Sequence, residues 1–115
     1  MVAYISAVAE DLLFRALADP SRRLLLDRLF ATPGQTLGEL IEGLPMSRQA
    51  ASKHVAMLEE ANLVATVRRG REKLHYLNPV PIQEIAMRWI GKFEADRVAA
   101  LVDLKRRLES EDGQA

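Results

Sequence analysis

Residues 47–62, SRQAASKHVAMLEEAN, carry the most information in the chain. Ser47 is a good helix N-cap, because its short hydroxyl accepts an amide that the first turn would otherwise leave unsatisfied. Beyond it Ala51, Val55 and Leu58 recur at i, i+4 and i+7, which places them on one core-facing side of a helix. Gln49, Ser52, Lys53 and Ala56 fall on the opposite side. That side is short and polar, with one base and one small methyl. It suits a helix lying in a DNA major groove, about 12 Å wide, where bulky outward residues obstruct approach. Glutamine pairs bidentately with adenine, serine donates or accepts, and alanine meets a thymine methyl. Ser47 and Arg48 at the helix start, together with Lys53, suit phosphate oxygens. A solvated face of no function uses the same residue types, so the neighbouring segments decide between the two.

Upstream, Thr36-Leu37-Gly38-Glu39 has capping-box spacing and opens a short helix through Leu40 and Ile41, closed near Gly43. Leu44-Pro45-Met46 is then a tight turn, so that residues 36–62 read as helix, turn, helix. Downstream, Leu63-Val64-Ala65-Thr66-Val67 and Leu74-His75-Tyr76-Leu77 flank Arg69-Gly70-Arg71-Glu72, which predicts a two-stranded hairpin over 63–77. Its tip carries Arg68, Arg69, Arg71 and Lys73, suited to backbone phosphates or a neighbouring minor groove. Further out, Leu12, Leu13, Ala16 and Leu17 predict a first helix over about 8–18. Asp19-Pro20 is an N-cap followed by a first-turn proline, and the second helix runs through Phe30 to the breaker Thr32-Pro33-Gly34. Asn78-Pro79-Val80-Pro81 stops the second strand and starts a last helix over about 81–109, with residues 110–115 polar and frayed. The expected fold is mainly α with a small β-hairpin, in the order α-α-α-α-β-β-α: a dimeric winged helix-turn-helix in a single domain.

The 115 residues suffice for one domain with a modest core. Sixteen basic and sixteen acidic side chains cancel, which at first looks wrong for a DNA binder. The distribution matters more than the sum. Residues 1–46 carry four basic and six acidic groups, residues 47–75 six and three, and residues 76–115 six and seven. Positive charge is concentrated in the segment that holds the proposed groove helix and hairpin. There is no cysteine, which removes disulfides, thiolate metal sites and thiol chemistry and fits a cytoplasmic protein. No apolar run is long enough for a membrane span, and the first fifteen residues lack the basic start and cleavage site of a secretory signal.

Three blocks closely resemble the ArsR-type (SmtB-like) repressors. They are Ala16-Leu17-Ala18-Asp19-Pro20-Ser21-Arg22-Arg23, then Met46 through Ala61, then Arg69-Gly70-Arg71-Glu72-Lys73-Leu74-His75-Tyr76. The resemblance covers roughly residues 10–95. It implies a homodimeric winged-helix repressor that releases operator DNA when a signal binds. Founding members of that family sense metals through a cysteine pair before the recognition helix, or through Asp, His and Glu on the last helix. Here the first position reads Leu37-Gly38-Glu39-Leu40-Ile41, and the last helix has no histidine, only scattered acids such as Glu84, Glu94 and Asp96. His54 and His75 have no partner at ligand spacing and read as structural. The chain thus resembles a branch without the usual metal residues: no metal and no cofactor are expected, and the inducing signal is unknown.

In the last helix Ile82, Ile85, Ala86, Trp89, Ile90 and Phe93 form an apolar stripe that Leu101, Leu104 and Leu108 continue past Arg97. So small a domain rarely needs this much apolar helix surface for itself. Pairing across a two-fold axis, together with Leu12 and Leu13 of the first helix, would bury the excess. The alternative is that Trp89 and Phe93 close the protomer core. No glycine-rich phosphate loop or nucleophile elbow is present, and Glu59-Glu60 reads as solvated surface, so an enzyme is not expected. The competing readings are a winged helix that meets protein instead of DNA, and an effector- or metal-responsive sensor with a non-standard site. The basic hairpin and small polar helix face argue against the first.

Overall fold

A computed structural model describes residues 7–114, with side chains over 8–94 and 96–110. Its elements follow the expected order: α1 (Ala7–Leu17), α2 (Pro20–Ala31), α3 (Leu37–Leu40), α4 (Arg48–Glu60), β1 (Val64–Arg69), β2 (Glu72–Leu77) and α5 (Val80–Gln114). The chain divides into two compact units, the first ending at Ile82 and the second running from Gln83.

The starts of α2, α3 and α4 are each set by their own side chains. Asp19 accepts the Ser21 amide at 2.7 Å, and Pro20 occupies the first turn of α2, where its missing N–H costs nothing. Thr36 and Glu39 form the reciprocal capping box of α3, with Glu39 N–H on the Thr36 hydroxyl at 3.2 Å and Thr36 N–H on the Glu39 carboxylate at 2.9 Å. Ser47 accepts the Ala50 amide at 3.0 Å and opens α4. At the other end of α4, Asn62 takes the left-handed conformation, φ 62°. Its N–H bonds Glu59 C=O at 2.9 Å, and Leu63 N–H bonds Leu58 C=O at 2.9 Å. This is the Schellman closure, and Leu58 and Leu63, the positions whose apolar side chains commonly accompany it, are both fully buried.

The core is built from Leu13 and Ala16 of α1, Leu25 and Leu29 of α2, Leu40 of α3 and the inward face of α4, all within a few per cent of complete burial. Each such leucine contributes about 1.5–3 kcal/mol relative to an exposed one. The hairpin pairs Val64 with Leu77 through Arg69 with Glu72. The strands extend further towards the tip than their apolar patterns predict, because a two-residue loop, Gly70-Arg71, closes them. Gly70 sits at φ +64°, a conformation that this kind of hairpin turn requires of its first residue. The residues before α3 add a single isolated bridge from Gln35 to His75, which ties the hairpin to the α2–α3 connection.

The last helix also differs from expectation, passing residue 109 and reaching Gln114. Its distal turns carry Asp103–Arg107 at 3.0 Å and Lys105–Glu109 at 3.9 Å, both i,i+4 pairs of the kind that supports an exposed helix. Residue 115, at the end of the segment expected to fray, lies outside the described residues. No described helix is long and apolar enough to cross a membrane.

Candidate nucleic-acid interface

Helix α4 has the two faces its spacing predicts. Ala51, Val55 and Leu58 are buried, while Ser47, Arg48, Gln49, Ser52, Lys53 and Ala56 are all exposed. Burial of the first set forces the second outward, since both ride one rigid 13-residue helix. That helix is about 20 Å long, at a rise of about 1.5 Å per residue.

The wing distributes its bases over both faces. In the ladder Arg68 stands opposite Lys73, and Arg69 opposite Glu72. Side chains alternate faces along a strand, so Arg68 and Lys73 share a face with Thr66 and His75, and Arg69 and Glu72 share the other with Val67 and Leu74. Arg71 occupies the turn. The four basic residues are therefore exposed but not clustered. Lys73 is also engaged: its ammonium lies 3.3 Å from the Glu59 carboxylate. The expectation that Glu59 is simply solvated surface is corrected by this contact. Between α4 and β2 a cleft of about 210 Å³ is lined by Leu37, Ser52, Val55, Ala56, Glu59, Lys73 and His75.

The two histidines have structural surroundings. His75 is buried, 4% exposed, and its Nδ1 donates to the Gln35 carbonyl at 2.8 Å, beside its own backbone N–H at the same distance. His54 is half-buried, with Nδ1 3.3 Å from the Arg22 guanidinium. Arginine only donates, so His54 Nδ1 accepts and the ring proton is on Nε2. Among the described residues no three His, Asp or Glu side chains converge as a metal site.

Arg22, which sequence reasoning passed over, is the buried hub behind α4. Its guanidinium donates to the Ala16 carbonyl at 2.8 Å, the Arg15 carbonyl at 2.9 Å and the Met57 sulfur at 3.4 Å. Asp19 lies 3.6 Å away. Arg23 adds a 2.6 Å bond to the Leu17 carbonyl. The Asp19-Pro20-Ser21-Arg22-Arg23 run therefore caps α2 from one side and satisfies the last carbonyls of α1 from the other. The Ser21 amide, helped by the charge of Arg22, holds the Asp19 carboxyl below its ordinary value of 3.8. The Thr36 amide and hydroxyl do the same for Glu39, whose ordinary value is 4.5.

The residues expected at a dimer interface divide. Leu13 is taken into the protomer's own core and Leu12 is half-buried. On α5, Ile82, Ile85 and Ala86 are half-buried, whereas Trp89, Ile90 and Phe93 are exposed by 44%, 57% and 58%. The Trp89 and Phe93 rings lie 5.5 Å apart, and the Lys92 ammonium sits 5.6 Å from the Trp89 ring centre.

Comparison with known proteins agrees with this geometry. A helix-turn-helix domain family matches residues 17–67. The HTH-type transcriptional regulator YuzN of Bacillus subtilis is 37% identical over 87 residues, covering 70% of this chain and 95% of the relative. The transcriptional repressor SdpR of the same organism is 30% identical over 80 residues, covering 70% and 87%. Among solved structures, an ArsR-like transcriptional regulator from Rhodococcus sp. RHA1 superposes with a TM-score of 0.72 at 30% identity, covering 90% of this chain and 93% of that one. Helix-turn-helix, wing and relatives agree, and the chain belongs to the ArsR-type winged helix-turn-helix family of DNA-binding transcriptional regulators.

Proposed function

We propose that the protein represses transcription by binding a palindromic operator as a homodimer, with α4 in the major groove and the wing on the flanking backbone. The observation that carries this reading is the outward face of α4, where Gln49, Ser52, Lys53 and Ala56 stand exposed on a helix fixed by a buried opposite face. Gln49 and Ala56 suit base edges, whereas Ser47 and Arg48 at the helix start, together with Lys53, suit phosphates. Arg68, Arg69 and Arg71 supply positive charge from the wing. Self-association is supported by the exposed Trp89, Ile90 and Phe93 and by the exposed Leu101, Leu104 and Leu108 further along α5. A two-fold pair would set two α4 helices about 34 Å apart, one turn of DNA.

The experiment is salt-titrated binding to the DNA upstream of the protein's own gene, with a scrambled duplex as control. Tight, selective binding with a steep salt dependence is expected. Equal affinity for both duplexes at every salt concentration would count against an operator there, and no binding at low salt would count against DNA as the partner of this face.

A further inference from the structure

The Glu59–Lys73 contact joins the last turn of α4 to the wing. Nζ and Oε1 are 3.3 Å apart, with the lysine side chain 45% and the glutamate side chain 32% exposed. No other hydrogen bond or ion pair among the described residues joins β2 to α4, and the cleft of about 210 Å³ lies beside it. Glu59 follows Ala56 by three residues and Ser52 by seven, so it stands on the same side of the helix as these outward residues. A bare carboxylate there faces a polyanion. Lys73 has the opposite problem, because the ladder sets it directly across from Arg68, and like charges in that position repel. A half-exposed ion pair adds little to folding. It does neutralise the Glu59 carboxylate on the surface turned towards DNA, and it offsets the repulsion between Lys73 and Arg68.

We propose that Lys73 is the counter-ion of Glu59 and not a phosphate ligand, so that the two side chains act as one positioning unit in DNA recognition. The proposal rests on the reading of α4 as the groove helix. Phosphate contacts from the wing are then left to Arg68, Arg69 and Arg71. Lys73 acts only by masking Glu59, and its loss is felt through the carboxylate that it exposes.

The test is salt-titrated binding of the full chain to a duplex selected from a random pool. The unsubstituted protein, Lys73→Met and the double variant Glu59→Gln/Lys73→Met are compared, each with a melting curve. Lys73→Met is expected to bind about tenfold more weakly with an unchanged salt slope, since it removes no phosphate contact. The double variant is expected to recover to within about threefold of the original, because the unmasked carboxylate is gone. If Lys73→Met melts early, the double variant alone carries the comparison, and it should keep the original slope. A slope reduced by about one unit in both variants, with no recovery in the double, would show Lys73 to be a phosphate ligand and overturn the proposal. So would a folded Lys73→Met that binds like the unsubstituted protein. Failure of the unsubstituted protein to bind any duplex is a separate outcome: it removes the groove reading, and the pair's role with it.

Discussion

Arg22 and Gln49 show how differently single residues act in this protein. Arg22 is 8% exposed and donates to two α1 carbonyls, those of Ala16 and Arg15, the second of which also accepts a longer 3.3 Å bond from Ala18 N–H. Arg22→Met keeps much of the bulk but orphans the Ala16 carbonyl and leaves that of Arg15 with its longer backbone bond alone, and is expected to cost about 1–3 kcal/mol of stability. Urea unfolding measures this; a loss under about 0.5 kcal/mol would mean that the carbonyls find water instead. Gln49 bears no structural load, because it is exposed and its helix is held from the other side. Gln49→Ala is therefore expected to leave the melting temperature unchanged. It should relax base preference at one operator position by about 1–3 kcal/mol. An equal loss on every sequence, measured by competition with singly substituted duplexes, would assign Gln49 to the backbone.

At the scale of elements, the N-terminus of α2 and the tip of the wing each make a separable prediction. The folded Asp19 carboxyl is held below its ordinary value, first by the Ser21 amide. A depressed pKa contributes stability that is fully present above the unfolded value and is lost as pH falls through the folded one. Stability is therefore expected to hold from neutrality down to about pH 4 and to decline below it, with a shallower decline in Asp19→Asn. Identical pH profiles for the two proteins in thermal melts would place the acid sensitivity in other carboxylates. The wing is short, exposed and closed by Gly70, so Arg71 lies at its outermost point. Arg71→Ala should weaken binding to all duplexes alike and lower the salt slope by about one unit. An unchanged slope would take the tip out of the interface.

For the whole molecule, the question is what α5 does with its apolar side chains. Trp89, Ile90 and Phe93 are each between 44% and 58% exposed in the single chain, more adjacent apolar surface than a monomer ordinarily leaves wet. A two-fold contact would remove it from water and would also set the spacing of the two α4 helices. Trp89→Glu puts a charge in the middle of that surface. On the proposed dimer, the parent is expected to sediment as a dimer and the variant as a monomer that loses operator affinity while retaining its helical signal. A fully active, dimeric Trp89→Glu protein would locate self-association elsewhere.

Much of this architecture is local in origin and could be read from the chain. The caps at Asp19, Thr36 and Ser47 each join residues two or three positions apart, and the two faces of α4 follow from a spacing of three and four. Such interactions need only their own segment, so residue order specifies them. The Arg22 hub, the Gln35–His75 bridge and the Glu59–Lys73 pair are different. His75 meets Gln35 across 40 positions and Arg22 meets Met57 across 35, with no periodicity to announce either. Glu59 on a helix end and Lys73 in a strand both look like ordinary solvated charges until packing sets α4 beside the hairpin. Contacts between distant segments exist only after the core has fixed the elements in space, which is why α4 and its two faces were readable in advance and the partners of its flanking residues were not.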